Sequence, residues 1–313
     1  MGESVSDYAG FDFLALWKGR GRVTEVEREI VRRALLPADH RRILEVGTGF
    51  GRLLGTLTAL GQEVVATDFD RAVLGKVPET LAPREPLRVA ANLYHLPFVD
   101  GAFTSASMVR VYHHLTDPVS ALTELGRVLR AGARLVLSYN PRPSVGTFVQ
   151  DVRRALAPAR AGTRFRSATF ARGSVTLPPA PFPVEVPDRR TFARTVRAAG
   201  FDPRAEVVAG MEEYRIARRA PAALFVHLGF AIGRAPGFPV RFAVLERTGT
   251  DAGPLPGPDA ILACPRCRAA LPFPEDDREI SCDRCGPVGA RSGPVIDLRF
   301  VPEGVPRWKG AAG

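Results

Sequence analysis

This 313-residue sequence predicts an α/β fold, a largely parallel sheet with helices on both faces, followed by a small metal-stapled module. Three observations carry that expectation. Strand and helix signals alternate from Arg41 to Tyr139; one strand breaks into three closely spaced glycines with an acid at the end of the next strand; and all four cysteines fall between Cys264 and Cys285. Alternation of this kind places ligands at the carboxyl ends of parallel strands.

Taken in order, Phe11, Phe13, Trp17, Lys18, Arg20 and Arg22 form an aromatic and basic patch. A helix is then predicted from Thr24, with Glu27 at capping-box spacing and Val26, Ile30, Val31, Ala34 and Leu35 on its apolar side. Strands are expected near 42–46, 63–67, 87–91, 103–109 and 133–139, and helices near 50–60, 70–77 and 118–130, the last stopped at Arg130-Ala-Gly132. Between the first strand and its helix, Gly47, Gly49 and Gly51 let the backbone turn sharply and approach a ligand that a Cβ would obstruct. Asp68 stands 21 positions after Gly47, at the end of the second strand, where an acid can accept both hydroxyls of a ribose. From Arg142 to Pro187 the alternation lapses into an Arg-, Pro- and Gly-rich stretch with a helix around 148–156 and no clear strand. A capped helix over Asp188–Ala199, a strand at 205–209 and a last strand at 239–247 come next, then a Pro/Gly linker at 248–259.

The run Glu45-Val-Gly47-Thr48-Gly49-Phe-Gly51 resembles the first motif of class I S-adenosylmethionine-dependent methyltransferases, of the type 11-like group. Its glycine spacing fits that family better than the dinucleotide pattern, whose third glycine falls one place later. The segment from Val89 through Asn92-Leu93 and Leu96-Pro97-Phe98 to Phe103 resembles the family's third strand and its Leu-Pro-Phe segment, and the likeness runs in order from about Val23 to Tyr139. The resemblance implies a Rossmann-like, seven-stranded sheet closed by an antiparallel pair. It implies S-adenosylmethionine as cofactor, with Gly47, Thr48, Gly49 and Gly51 at its methionine half and Glu45 at its amino group. Asp68 and Phe69 would lie at the ribose, Asn92 and Leu93 at the adenine, and Arg110 at the end of the fourth strand. Asn92 departs from the Asp that many members of the family carry. His113 and His114, after the fourth strand, are the candidate catalytic groups, able to take a proton from an oxygen or nitrogen nucleophile, while a positioning role is the alternative. Trp17 is read either as a cover over the ligand or as a structural anchor of the first helix.

Cys264-x-x-Cys267 and Cys282-x-x-Cys285 can set four thiolates around one structural zinc; two disulfides are the alternative, a poor fit to a sequence without an export signal. The segment Leu262–Phe300 resembles the short zinc-ribbon family that includes the small activating partner of tRNA and protein methyltransferases. The expected domains are a helical segment at 1–40, a catalytic domain at 41–247 with an insert at about 141–187, the linker at 248–259, the ribbon at 260–302 and a tail at 303–313.

Composition sets the outer limits. At 45% hydrophobic and 24% charged residues the chain reads as globular. Ala222–Gly233, its longest apolar stretch, is interrupted by His227 and is too short to span a bilayer, so a cytoplasmic protein with no membrane and no obligate partner is expected. Net charge is +10, and the stretch from Pro141 to Ala220 holds 15 Arg against 7 acids. Arginines with Phe148, Phe165 and Phe170 between them suit a single-stranded RNA groove or a lid over a small-molecule pocket. The acceptor is therefore expected to be a small molecule, with RNA second. The alternative outside enzymes is a nucleic-acid or protein-binding scaffold built from a degenerate methyltransferase domain and the ribbon.

Overall fold

The structure is a computed structural model that describes residues 3–7, 15, 17–77, 85–156, 169, 174–177, 184–213, 220–250, 253–275 and 278–309. A short strand β1 (Val5–Asp7) precedes helix α1 (Gly21–Leu35). The apolar side predicted for α1 is buried. The capping box is not formed: α1 begins at Gly21 with no side-chain cap, and Glu27 is fully buried because Arg52 and Arg110 draw its carboxylate inward, at 2.5 and 2.8 Å.

Next come β2 (Arg42–Val46), α2 (Leu54–Leu60), β3 (Glu63–Asp68), α3 (Arg71–Leu74), β4 (Leu87–Ala90), β5 (Phe103–Met108), α4 (Pro118–Val128) and β6 (Leu129–Tyr139). Asp70 and Asp117 cap α3 and α4 by accepting from the backbone N–H of Ala72 and Ser120. The helix stop expected at 130–132 is displaced. α4 ends at Val128, and Arg130 to Gly132 bulge within β6, whose pairing with β5 jumps from Phe103↔Leu129 to Ser105↔Arg134. β2 lies between β3 and β5, parallel to both, which is the point where strand order reverses and a crevice opens at the carboxyl ends. Alternate side chains of these strands feed two cores: Leu44, Val65 and Val89 on one face, Ile43, Val64 and Ala90 on the other.

The stretch after β6 holds α5 (Val145–Leu156) and a hairpin of β7 (Ser174–Leu177) and β8 (Val184–Pro187), where the sequence offered no clear strand. α5 turns Thr147 and Asp151 inward and leaves Phe148, Val149 and Val152 exposed. Arg142, first of the arginines assigned to a nucleic-acid groove, is buried and donates from Nε to the Val186 carbonyl. Phe165, Phe170 and most of the remaining arginines of that groove lie outside the described residues. α6 (Arg189–Ala198), capped by Asp188, leads to β9 (Phe201–Ala209), α7 (Ala222–Ala231) and β10 (Val240–Arg247), and β10 runs antiparallel between β6 and β9. No described helix is long and apolar enough to cross a membrane.

The sheet does not stop at seven strands. β11 (Glu279–Cys282), β12 (Gly286–Ser292) and β13 (Val295–Asp297) extend it to ten, in the order β11-β12-β13-β4-β3-β2-β5-β6-β10-β9. β13 pairs in parallel with β4, Ile296 opposite Val89, so the edge of β4 finds its backbone partners inside the same chain. Ile261, Leu262, Leu271, Ile280 and Ile296 join the core that holds Leu44 and Phe98. Finally β14 (Arg307–Lys309) lies parallel to β1, Val5 opposite Arg307.

Candidate active site and cysteine cluster

At the carboxyl end of β2 the chain folds back on β3. The N–H groups of Gly47 and Thr48 donate to the Thr67 carbonyl at 2.8 and 2.9 Å. Gly47 has φ +70, and a Cβ there would stand 2.2 Å from Cγ2 of Val111, so no larger residue fits. Gly49 has φ +54 and open space where a Cβ would project. Its N–H donates to Oδ2 of Asp68 at 2.8 Å, while Oδ1 of Asp68 accepts from the Asp70 N–H at 3.0 Å. The acid at the end of β3 thus fixes the glycine turn and keeps lone pairs for a ligand.

A cavity of about 190 Å³ opens over this turn. Of the residues singled out by sequence, Gly47, Thr48, Gly49, Asp68, Phe69, Asn92, Leu93, Arg110, His114 and Trp17 line it. Glu45, Gly51 and His113 do not. Gly51 turns toward Leu54 and Val77, and Glu45 sits 3% exposed behind the wall. The capping-box reading of Glu27 hid the anchor of this wall, in which its carboxylate holds both Arg52 and Arg110. Arg52, Ser4, Val5 and Tyr94 line the cavity without having been singled out. Arg52 also stacks on Trp17, 4.0 Å from the ring centroid, a pairing between distant positions that left no local signal in the sequence.

Burial pushes the Glu45 carboxyl up to about 8, the nearby Asp68 adds to this and Arg52 opposes it. Oε2 of Glu45 has no hydrogen-bond partner, so a buried acceptor waits for a donor. Asp68 is raised as well, first by burial. The two carboxyls therefore suit a cationic and hydroxyl-bearing ligand that would satisfy both. Burial lowers His114 to about 4, which leaves its ring neutral at neutral pH. His113 is lowered as well, first by burial; it lies behind His114 with ring centroids 3.9 Å apart, and its Nδ1 is unpartnered. Asn92 is already engaged. Its Oδ1 accepts from the Tyr94 N–H at 3.1 Å, leaving one lone pair for an adenine amino group, and its Nδ2 donates to Oε1 of Glu3 and to the Phe300 carbonyl.

The four cysteine sulfurs lie within 4.8 Å of one another. Cys267 and Cys282 are 3.6 Å apart, well beyond a disulfide bond of about 2.05 Å and close to the roughly 3.8 Å edge of a tetrahedron with Zn–S near 2.3 Å. All four are free, at odds with the disulfide alternative. The Ala269 N–H, directed at Cys267, lowers that thiol, while burial raises Cys264 and the neighbouring sulfurs raise Cys285, as expected of four thiols crowded together.

Comparison with known proteins gives the same outline. A family model described as a methyltransferase domain matches residues 44–137. A demethylmenaquinone methyltransferase of Clavibacter sepedonicus is 30% identical over 176 residues, covering 54% of this chain and 69% of that protein. An uncharacterized methyltransferase of Mycobacterium bovis is 30% identical over 149 residues, covering 46% of this chain and 55% of the relative, so the chain spans only about half of that protein's length. Among solved structures, a Listeria monocytogenes protein assigned to the S-adenosylmethionine-dependent methyltransferases has a TM-score of 0.51 at 12% identity, with 73% of this chain and all of that one covered, a likeness of fold.

Proposed function

This chain belongs to the S-adenosylmethionine-dependent methyltransferases, and from that premise we propose that it transfers a methyl group in line to a small-molecule acceptor beside His114. When bound, S-adenosylmethionine supplies an electrophilic methyl on a sulfonium, so the protein mainly has to align the acceptor and exclude water. Gly47, Thr48 and Gly49 form the cradle of its methionine half; Gly51 shapes that turn from behind. Glu45, behind the cavity wall, takes the ammonium through a bridging water at its unpartnered Oε2, Arg52 and Arg110 on the wall take the carboxylate, and Asp68 with Phe69 takes the ribose. Asn92 and Leu93 form the adenine wall. Neutral His114 is the candidate group that accepts a hydrogen bond from the acceptor and orients it toward the methyl, and His113 keeps its ring in place from behind. The cysteine cluster carries one zinc in a structural role, because four protein thiolates leave no open position.

The observation that carries this reading is the buried acid pair around the glycine turn, Glu45 with an unsatisfied oxygen and Asp68 bonded to Gly49. The relatives named demethylmenaquinone methyltransferases support a small-molecule acceptor over RNA. Calorimetry tests the site: Asp68→Ala should weaken binding of S-adenosylmethionine by about 1.5 to 3 kcal/mol. Unchanged affinity in Asp68→Ala combined with Gly49→Val would mean that the cofactor binds elsewhere.

A further inference from the structure

We propose that Asn92 is a latch that holds a cover, made of residues 3–7 and 299–309, over the adenine end of the cofactor pocket. The proposal rests on the reading of that pocket as the cofactor site. Ser4 and Val5 line the pocket, and Val5 is 5% exposed. They are held there from three sides. Ser4 donates its N–H to Oγ1 of Thr116 at 3.0 Å; the Val5 N–H donates to the Pro306 carbonyl at 3.0 Å, and β1 lies along β14; and the Glu3 carboxylate meets both Asn92 Nδ2, at 3.0 Å, and His95 Nε2, at 3.1 Å. From the other side, the Phe300 carbonyl accepts from the same Asn92 Nδ2 at 2.9 Å, and the Phe300 ring stands edge-on to His95, with centroids 5.2 Å apart. Arg299 donates to the Phe69 carbonyl at 3.3 Å with its guanidinium over the Phe69 ring, and Phe69 is itself a wall of the pocket.

The chemistry of the latch requires an amide. Both partners of Nδ2, a carboxylate and a peptide carbonyl, can only accept, so the group between them must bring two N–H donors. Asn92 is 2% exposed and supplies both, while its Oδ1 takes the Tyr94 N–H. An aspartate, which many members of the resembled family carry at this position, would set a buried negative charge against Glu3 and against the Phe300 carbonyl. It would release the two segments together. Beside its place in the adenine wall, Asn92 is therefore also a positioning residue. It keeps the glycine-turn pocket covered and couples the closing strands at both ends of the described chain to cofactor retention.

The test uses the whole chain, S-adenosylhomocysteine as probe and hydrogen exchange of the amides of residues 3–7 and 307–309 as a readout independent of the cofactor. Asn92→Asp should weaken the probe at least about tenfold and speed that exchange. Glu3→Gln alone should behave as the parent, since the Gln carbonyl still accepts from Asn92. The double variant Asn92→Asp with Glu3→Gln reverses the direction of the hydrogen bond and should recover at least about threefold of the affinity and slow the exchange again. A merely destabilised Asn92→Asp protein would not respond to Glu3→Gln, so absence of recovery in both readouts overturns the latch. Parent-like affinity and exchange in Asn92→Asp overturn it too. If the parent chain binds no probe while the exchange pattern follows the latch, the reading of the pocket fails and the latch stands as a contact between the two segments.

Discussion

Substituting Glu45 by Gln should remove the pH dependence of cofactor binding. In the cofactor-free protein, burial pushes the Glu45 carboxyl up to about 8, so at pH 6 it carries a proton. Pairing with the cofactor's ammonium requires the carboxylate, and binding must expel that proton. Affinity should then rise by up to about tenfold per pH unit between about pH 6 and 8, flattening near 8, about 50-fold or roughly 2.3 kcal/mol across the interval. Calorimetry with S-adenosylhomocysteine at pH 6, 7 and 8, in buffers of different ionisation enthalpy, counts the protons released. The parent should release close to one at pH 6 and Glu45→Gln none. The same carboxyl bears on stability with the opposite trend. Between the ordinary value of 4.5 and about 8 the folded state holds a proton that the unfolded state lacks, so Glu45 makes the cofactor-free protein less stable as pH rises through that window. Identical proton release and pH slope in parent and variant would refute the placement of Glu45 at the ammonium.

Three further outcomes are expected. His114→Ala should lower kcat by about 100-fold while the KM for cofactor holds, and the parent should show no His114 limb between pH 6 and 8 because that ring titrates near 4; an unchanged kcat would remove His114 from orienting the acceptor. Metal analysis should find close to one zinc per chain, and chelation should lower the melting temperature, because the cysteines sit at the base of strands that share the main core; four titratable thiols in a native, metal-free protein would contradict this. A chain ended at Arg247 should aggregate, since it leaves the edge of β4 unpaired and uncovers Phe98 and Leu96; a soluble, cofactor-binding product would show that β13 is dispensable.

The alternation of strands and the turn at Gly47–Gly51 were legible because continuous apolar runs, buried on both faces, and closely spaced glycines leave marks in any local window. Asp68 was legible for the same reason, lying a fixed distance along one β-α-β unit. What escaped was set by distant partners. Nothing near Val295–Asp297 says that this short apolar run adds to β4 rather than forming an isolated ribbon. Glu27 has capping-box spacing, yet Arg52 and Arg110, far along the chain, decide where its carboxylate goes. At Asn92 the departure from Asp was visible, and its reason, two acceptors arriving from Glu3 and Phe300, was not. The arginine-rich stretch misled in part because a charge count does not distinguish a buried Arg142 from a phosphate-binding one.

The central claim, methyl transfer to a small molecule, is tested most directly by incubating the purified chain with S-adenosylmethionine labelled at the methyl group and an extract fractionated into RNA, protein and small molecules. Label is expected in the small-molecule fraction and should be lost with Asp68→Ala. Label confined to RNA or protein, or absent from every fraction while the cofactor binds, would contradict it.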